Sequence, residues 1–438
     1  MGRKSSSRFV LSRRGFLAAS VAASFGAPQV VPPETLGKGG GVAAGERIGF
    51  GVIGVGSRGN DHIRTFAGYP GVEIVALCDP YKSKCEAAGK LLQERLAGQG
   101  IKREPPAMYQ DFRELLARDD INAVVIASPE NWHALHGISA VKTGKDVYGE
   151  KALARTVFES RALVEEVRHH GRVFQVGMQQ RSTRDFRFAS ELARNGYLGK
   201  LHTVRVSVPG GRALPDAPPT PPPPDLDYDI WLGPAPYTPH NDLKCSFNWY
   251  FMSDYCAGWV QSWGVHHMDI AQWGVPAFAG GVVKVKGTAD FPRSGLADTS
   301  VTWRVEYRTV DGLLLVFTDD GQYQIGCRFE GDAGWVHADR SGIWASPESL
   351  LDVSIKPNEE HLYVSDDHHA NFLECVRARK DPAAPVEAGH TANVLALIGD
   401  IATRLCRELT WNWSTERFTD CEEANRFLGR TMRAPWIV

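Results

Sequence analysis

Residues 47–59 read RIGFGVIGVGSRG, an apolar run closing on three glycines at the G-x-G-x-x-G spacing, Gly54, Gly56 and Gly59. The pattern calls for a buried strand that turns sharply into a helix. Gly54 permits the tight turn, Gly56 lets a pyrophosphate approach the backbone, and Gly59 lets helix and strand pack closely. Ser57 and Arg58 open the helix, whose unpaired N–H groups and positive dipole end suit phosphate. A second apolar run, residues 72–78, ends at Asp79, where a carboxylate would hydrogen-bond an adenine ribose. Strand, turn, helix and acid together predict a dinucleotide site. Asp79 favours NAD, because its charge repels a 2′-phosphate; NADP stays the alternative, because Lys82 could pair with that phosphate.

Alternation of strand-like and helix-like segments continues from residue 47 to about 177, which predicts a parallel sheet with helices on both faces. Strands are expected at 48–55, 72–78, 123–127, 146–148 and 172–176, with helices through 91–96, 132–143 and 157–169. After Gly177 come a helix near 186–195, a strand at 201–208, and an insert (214–225) with prolines at 215, 218, 219 and 221–224. That density of proline excludes regular helix or sheet. Residues 281–344 alternate in the manner of antiparallel strands, with Asp311-Gly312, Asp320-Gly321 and Glu330-Gly331 as turns. Helices return at 371–379, 392–409 and 421–428.

A chain of 438 residues has room for two to three domains. With a net charge of −2 and no basic stripe interleaved with aromatics, nucleic acid is not an expected partner. No apolar run suggests a stable membrane span. The first residues read instead as an address: Arg3, Lys4, Arg8, Arg13 and Arg14 precede a short apolar run, and residues 12–17, SRRGFL, form a twin-arginine pattern. A basic disordered tail is the competing reading. The expected organisation is leader and linker at 1–45, dinucleotide-binding domain at 46–177, and substrate and oligomerisation domain at 178–438. The eight cysteines contain no C-x-x-C pair, which excludes a zinc ribbon or thioredoxin-like motif, and no metal ligand set is read; a twin-arginine substrate folds in a reducing compartment, so mostly free buried thiols are expected.

Four stretches could carry chemistry. In residues 144–155, GKDVYGEKALAR, Glu150 and Lys151 fall just past a strand, where lysine could exchange a proton with a hydroxyl; a solvated surface lysine is the plainer alternative. Residues 256–273 read as one helix with a stripe of Trp259, Trp263, His266, Ile270 and Trp273. His266 is then either a core histidine or an acid–base group, with Ser262 and Asp269 placed to assist it. His267 lies one step round. A metal site is conceivable from the pair, but adjacent helical residues point about 100° apart, so both do not easily ligate one ion. Ser128, Pro129 and His133, in SPENWH, should border the cofactor. Gln179 and Arg181, in VGMQQR, should touch cofactor or substrate. The pair His368-His369 after Asp366-Asp367 reads as a helix start.

These segments together resemble the Gfo/Idh/MocA oxidoreductases, named for glucose–fructose oxidoreductase and inositol dehydrogenase, and in particular their twin-arginine-exported bacterial branch. The similarity is carried by GVIGVGSRG, CDP at 78–80, ASPENWHALHG, GKDVYGEKALA, VFQVGMQQRS, DIWLGPAP, SWGVHHMDIAQW and HHANFLECVRARK, and runs from Arg47 to the C-terminus. It implies a Rossmann domain followed by an α+β domain with a large, mostly antiparallel sheet that commonly serves as an oligomer interface. It also implies NAD or NADP and substrates that are sugars, polyols or their derivatives. Lys151 matches the lysine of the family's E-K-P motif, and His266 the histidine of its D-x-x-x-H motif. Two positions depart: Ser262 stands for the aspartate, and Ala152 for the proline. The relatives' Lys–Pro bond is often cis; a cis Lys151–Ala152 bond costs about 2.5–4 kcal/mol relative to trans.

The leading expectation is hydride transfer between a tightly bound nicotinamide and a sugar, with Lys151 and His266 catalytic. Free NAD(P) is scarce outside the cytoplasm, so an exported, periplasmic enzyme should carry its cofactor out and regenerate it in place. Two alternatives stand beside this: a redox-neutral glycosidase acting through transient sugar oxidation, and a non-catalytic, nucleotide-bearing sugar-binding protein. The expected partners are a sugar or polyol, the twin-arginine translocase during export, and further copies of the chain. Ser262, His266, His267 and Arg181 are the expected substrate contacts.

Overall fold

The computed structural model describes residues 42–438. The twin-arginine pattern and most of the linker lie outside the described residues. Ahead of Ile48 the described chain holds one 3-10 turn, Ala44–Glu46, and Arg47 Nε donates to Val42 O at 3.0 Å.

From Ile48 onward the first layer is a parallel sheet. Its strands are β1 (Ile48–Ile53), β2 (Val72–Cys78), β3 (Ala107–Tyr109), β4 (Ala123–Ile126), β5 (Asp146–Gly149) and β6 (Phe174–Val176), in the order β3-β2-β1-β4-β5-β6. Every residue of β1 and β4 is buried, as expected of central strands covered on both faces. The chain runs outward from β1 through β2 to β3, then restarts beside β1 at β4. A crevice therefore opens at the carboxyl ends of β1 and β4, where the connections diverge. The helices start on local signals. Thr156 caps Val157–His169 by accepting from Glu159 N at 3.2 Å, while its hydroxyl donates to the Glu159 carboxylate at 3.0 Å.

The second sheet has nine strands: β7 (Leu201–Val208), β8 (Val282–Asp290), β9 (Thr302–Thr309), β10 (Leu314–Asp319), β11 (Gly326–Gly331), β12 (Gly334–Asp339), β13 (Gly342–Ser346), β14 (Leu409–Asn412) and β15 (Arg417–Phe418). Their order is β13-β12-β11-β7-β10-β9-β8-β14-β15, antiparallel throughout except for β7 against β10. Strand β9 shows the period of two: Trp303, Val305 and Tyr307 are buried inward, while Arg304, Glu306 and Arg308 face out. Asp311-Gly312 turns β9 into β10 as expected. Asp320-Gly321 does not close a hairpin, because β7 is inserted between β10 and β11.

Helix Val386–Leu405 joins the two layers, and almost all of it is buried. Ala392 and Ala396 pack toward the parallel sheet; Val394, Leu395, Ile398 and Ile401 pack toward the nine-stranded sheet. Helix His368–Ala378, capped by Asp367 as the sequence suggested, returns to the parallel sheet, where Phe372 meets Phe50 and Phe66. Residues 209–224 form no helix or strand, in keeping with their prolines. All eight cysteines are free, six of them buried. No helix among the described residues is long and apolar enough to cross a membrane.

Candidate active site

A cleft of about 890 Å³ runs along the carboxyl edge of the parallel sheet toward the helices of the second domain. At one end lies the glycine turn. Gly54 has φ +85°, and a Cβ there would stand 2.6 Å from the backbone of Ala127 and Ser128. A Cβ on Gly59 would stand 2.0 Å from Gly54 O, so helix and turn close only around a hydrogen atom. At Gly56 a Cβ would meet nothing within 4 Å. That open space, facing the start of helix Ser57–Phe66, is the cradle a pyrophosphate needs.

Asp79 sits at the end of β2 and lines the cleft. Its Oδ2 accepts from Val55 N at 3.1 Å and its Oδ1 from Tyr81 N at 3.0 Å. Burial raises its proton affinity against the opposing pull of Lys84 and the two N–H groups. Lys84, not Lys82, is the lysine that reaches the cleft here. Ser128 and Pro129 border the cleft after β4, with Ser128 Oγ 3.0 Å from His136 Nδ1.

Past β5, Glu150 gathers cationic and polar neighbours. Its Oε1 accepts from Arg58 Nε at 2.7 Å and lies 2.9 Å from His62 Nε2. Burial alone would raise its pKa, but the His62 hydrogen bond and the Arg58 charge hold it well below the usual carboxylate range. The Gln179 amide, oriented to suit its neighbours, donates to Gly177 O at 2.7 Å and accepts from Arg58 Nη2 at 2.6 Å.

Lys151 follows at once, and the Lys151–Ala152 peptide bond is cis. Its Nζ donates to Ser262 Oγ at 3.0 Å and lies 5.7 Å from the Tyr250 ring centre. The single helix expected over 256–273 is two, Trp259–Ser262 and Gly264–Gly274, with Trp263 at the junction. Ser262, Trp259, Trp263 and His266 all line the cleft, whereas Ile270 is in the core. Burial, then the charges of Lys151 and Arg340, push the His266 pKa well down, so this imidazole is neutral at pH 7. Its buried Nδ1 has no partner among the described residues.

Three expected contacts do not reach the cleft. His133 is held by the backbone, its Nδ1 2.6 Å from Ala152 O and its Nε2 2.7 Å from Ser128 O, so it braces the two loops. Arg181 forms a two-pronged pair with Asp269, at 2.7 and 2.8 Å. Asp269 is thereby consumed and does not assist His266. His267 points into the core, 3.3 Å from Gln180 Nε2 and beside Phe186. Conversely, the sequence reading missed Trp231, Phe247, Trp249 and Tyr250, which also line the cleft, and Arg340, which lies 4.5 Å over Trp263 from the tip between β12 and β13. The run FNWY at 247–250 was a usable signal; a lone arginine in a hairpin tip was not. Among the described residues no group of three His, Cys, Asp or Glu could hold a metal ion.

Comparison with known proteins agrees with this geometry. Residues 48–178 match the Gfo/Idh/MocA oxidoreductase family, NAD-binding Rossmann fold, and residues 210–438 match its C-terminal alpha/beta domain. An alpha-N-acetylgalactosaminidase from Shewanella oneidensis is 36% identical over 154 residues, 33% of this chain and 32% of that one. Glycosyl hydrolase family 109 protein 1 from Shewanella sp. MR-4 is 37% identical over 158 residues, 34% of this chain and 33% of that one. The chain thus spans about a third of the length of these curated relatives. In fold it is similar to aldose-aldose oxidoreductase from Caulobacter crescentus (TM-score 0.61, 18% identity, 84% of this chain and 99% of that one). It is also similar to the WlbA dehydrogenase of Bordetella pertussis, solved with NADH and UDP-GlcNAcA (TM-score 0.59, 18% identity, 83% and 98%). The two matched domains cover the nucleotide cradle and the helices facing it: the chain belongs to the Gfo/Idh/MocA oxidoreductase family.

Proposed function

We propose that the protein is a sugar or polyol oxidoreductase working with a tightly held NAD. The observation that carries this reading is one continuous cleft, with the glycine cradle at one end and the Lys151–Ser262 pair and His266 at the other. The residues fit the nucleotide: Gly56 leaves room for a pyrophosphate, Ser57 and Arg58 open the helix, and Asp79 faces the ribose position. When bound, the nicotinamide supplies the hydride acceptor or donor. Lys151 Nζ exchanges a proton with the reacting hydroxyl, and Ser262 Oγ fixes its position. Neutral His266, which lines the cleft, offers its imidazole to a second substrate hydroxyl. Trp249, Tyr250, Trp259 and Trp263 offer apolar faces to sugar C–H groups.

Lys151→Met should abolish turnover while the variant still binds NAD, measured by calorimetry and by cofactor absorbance with a panel of sugars. A wild-type protein that changes its nicotinamide absorbance with no sugar, polyol or keto-sugar sinks the reading. The Shewanella relatives' names favour a second reading, a redox-neutral glycosidase. Release of nitrophenol from a nitrophenyl α-N-acetylgalactosaminide without net cofactor reduction separates it from the first.

The pattern SRRGFL at 12–17 supports twin-arginine export to the periplasm, with NAD loaded beforehand. Cell fractionation, and loss of export on Arg13→Lys/Arg14→Lys, test this. Assembly into a homo-oligomer through the outer face of the nine-stranded sheet completes the proposal, and light scattering tests it.

A further inference from the structure

Behind Glu150, away from the cleft, two histidines from distant parts of the chain stand in line. His62, from helix Ser57–Phe66, has Nε2 2.9 Å from Glu150 Oε1 and Nδ1 3.1 Å from His369 Nε2. His62 is 1% exposed, whereas His369 is only partly buried. The line is walled by rings: Tyr148 stacks on His369 at 5.0 Å and meets His62 edge-on at 4.9 Å, and Phe66 lies 5.0 Å from His369.

A purely structural role explains this poorly. Arg58 already neutralises the Glu150 carboxylate, and one histidine would satisfy the spare lone pair. The second histidine meets the buried His62 Nδ1 and, being only partly buried itself, carries the line outward. A neutral His62 sets the donor order. Glu150 is ionised and only accepts, so His62 donates from Nε2. His62 Nδ1 is then the acceptor, and His369 donates to it from Nε2. Both protons point toward the cleft, and His369 Nδ1 is left to take a proton from water.

We propose that Glu150, His62 and His369 form a proton relay between the cleft and solvent at the back of the nucleotide domain. The inference rests on the oxidoreductase reading. Removing a hydride from a C–OH group also releases one proton, and the line behind Glu150 offers that proton a route to solvent. In the inward direction water protonates His369 Nδ1, His369 Nε2–H passes to His62 Nδ1, and His62 Nε2–H passes to Glu150 Oε1. One proton enters and one arrives. The state left behind, carboxylic acid with both histidines carrying Nδ1–H, is the state from which outward transfer starts. The same line therefore serves oxidation and reduction without a ring flip. Burial and the neighbouring imidazole of His62 push the His369 pKa down to about 3, which keeps it neutral between transfers.

Two measurements test the relay. Long-range 1H–15N spectra of histidine-labelled full-length protein at pH 7, assigned with His62→Gln and His369→Gln, should show Nε2–H tautomers at both positions. An Nδ1–H tautomer or an imidazolium at His62 overturns the proposal whatever the protein's activity. In single turnovers read by nicotinamide absorbance and a pH-indicator dye, His369→Gln should reduce its cofactor while releasing the proton at least tenfold more slowly, and free imidazole should restore the rate. Proton release at the wild-type rate in His369→Gln overturns the relay and leaves the oxidoreductase reading standing. Absence of cofactor reduction in the wild type overturns that reading, and the relay's function with it.

Discussion

Replacing Arg181 with alanine strands a carboxylate. Asp269 is fully buried, and each of its oxygens accepts from the Arg181 guanidinium, at 2.7 Å from Nε and 2.8 Å from Nη2. Gln272 Nε2 adds one contact to Oδ1 at 2.9 Å. The guanidinium also donates to Ala383 O at 3.3 Å and lies 4.9 Å over Trp273, so its packing is lost as well. Removing one partner of such a pair costs about 3–5 kcal/mol, because the other is left charged in a dry site. Replacing both partners with apolar side chains of similar volume is commonly neutral or better. Urea denaturation of nucleotide-free protein at pH 7 should therefore show Arg181→Ala destabilised by about 3–5 kcal/mol. Arg181→Met with Asp269→Leu should fall much nearer the wild type. A loss below about 1 kcal/mol in Arg181→Ala, with a raised KM for sugar, would refute this and return Arg181 to the substrate.

Gly56→Ala should leave the melting temperature close to wild type but weaken NAD binding by calorimetry, since its Cβ enters only the open cradle. Gly59→Ala should lose both stability and binding, because its Cβ meets Gly54 O at 2.0 Å. Ser262→Ala removes the partner of Lys151 Nζ; a hydrogen bond to a charged group is worth about 1.5–3 kcal/mol, so kcat/KM should fall about 10- to 100-fold with NAD affinity unchanged. Burial lowers the pKa of His136 to about 3, of His267 to about 3 and of His368 to about 4. These histidines stay neutral in the native state while the unfolded chain takes up protons below about pH 6.5, so their stabilisation is full above that pH and is lost as pH falls toward 4. Urea midpoints measured from pH 7 to 4.5 should decline, and His136→Asn should make the decline shallower.

The nucleotide half was legible because its signals are local. The turn at 54–59 and the acid at 79 sit within a few residues of the strands that place them, and Thr156 and Asp367 declare the helices they cap. The substrate half is assembled from afar. Arg181 carries no local mark that its partner is Asp269, and His267 reads like His266 until the core decides which ring faces it. Likewise, Asp320-Gly321 has the composition of a hairpin turn, but β7 from an earlier part of the chain occupies the slot beside β10. Arg340 and the aromatic wall depend on loops whose positions only the finished sheet defines.

Helix His368–Ala378 has a consequence for synthesis. Phe372 packs at 6.2 Å from Phe50 and 6.3 Å from Phe66, so the back of the nucleotide domain stays bare until the ribosome has made nearly the whole chain. The emerging N-terminal half is left with an uncovered apolar face, and dinucleotide capture should come late, after the tail has docked. A chain truncated before this helix should aggregate rather than fold as a free-standing nucleotide-binding domain. Under the proposed export to the periplasm, that delay would make docking of the tail the last event before departure.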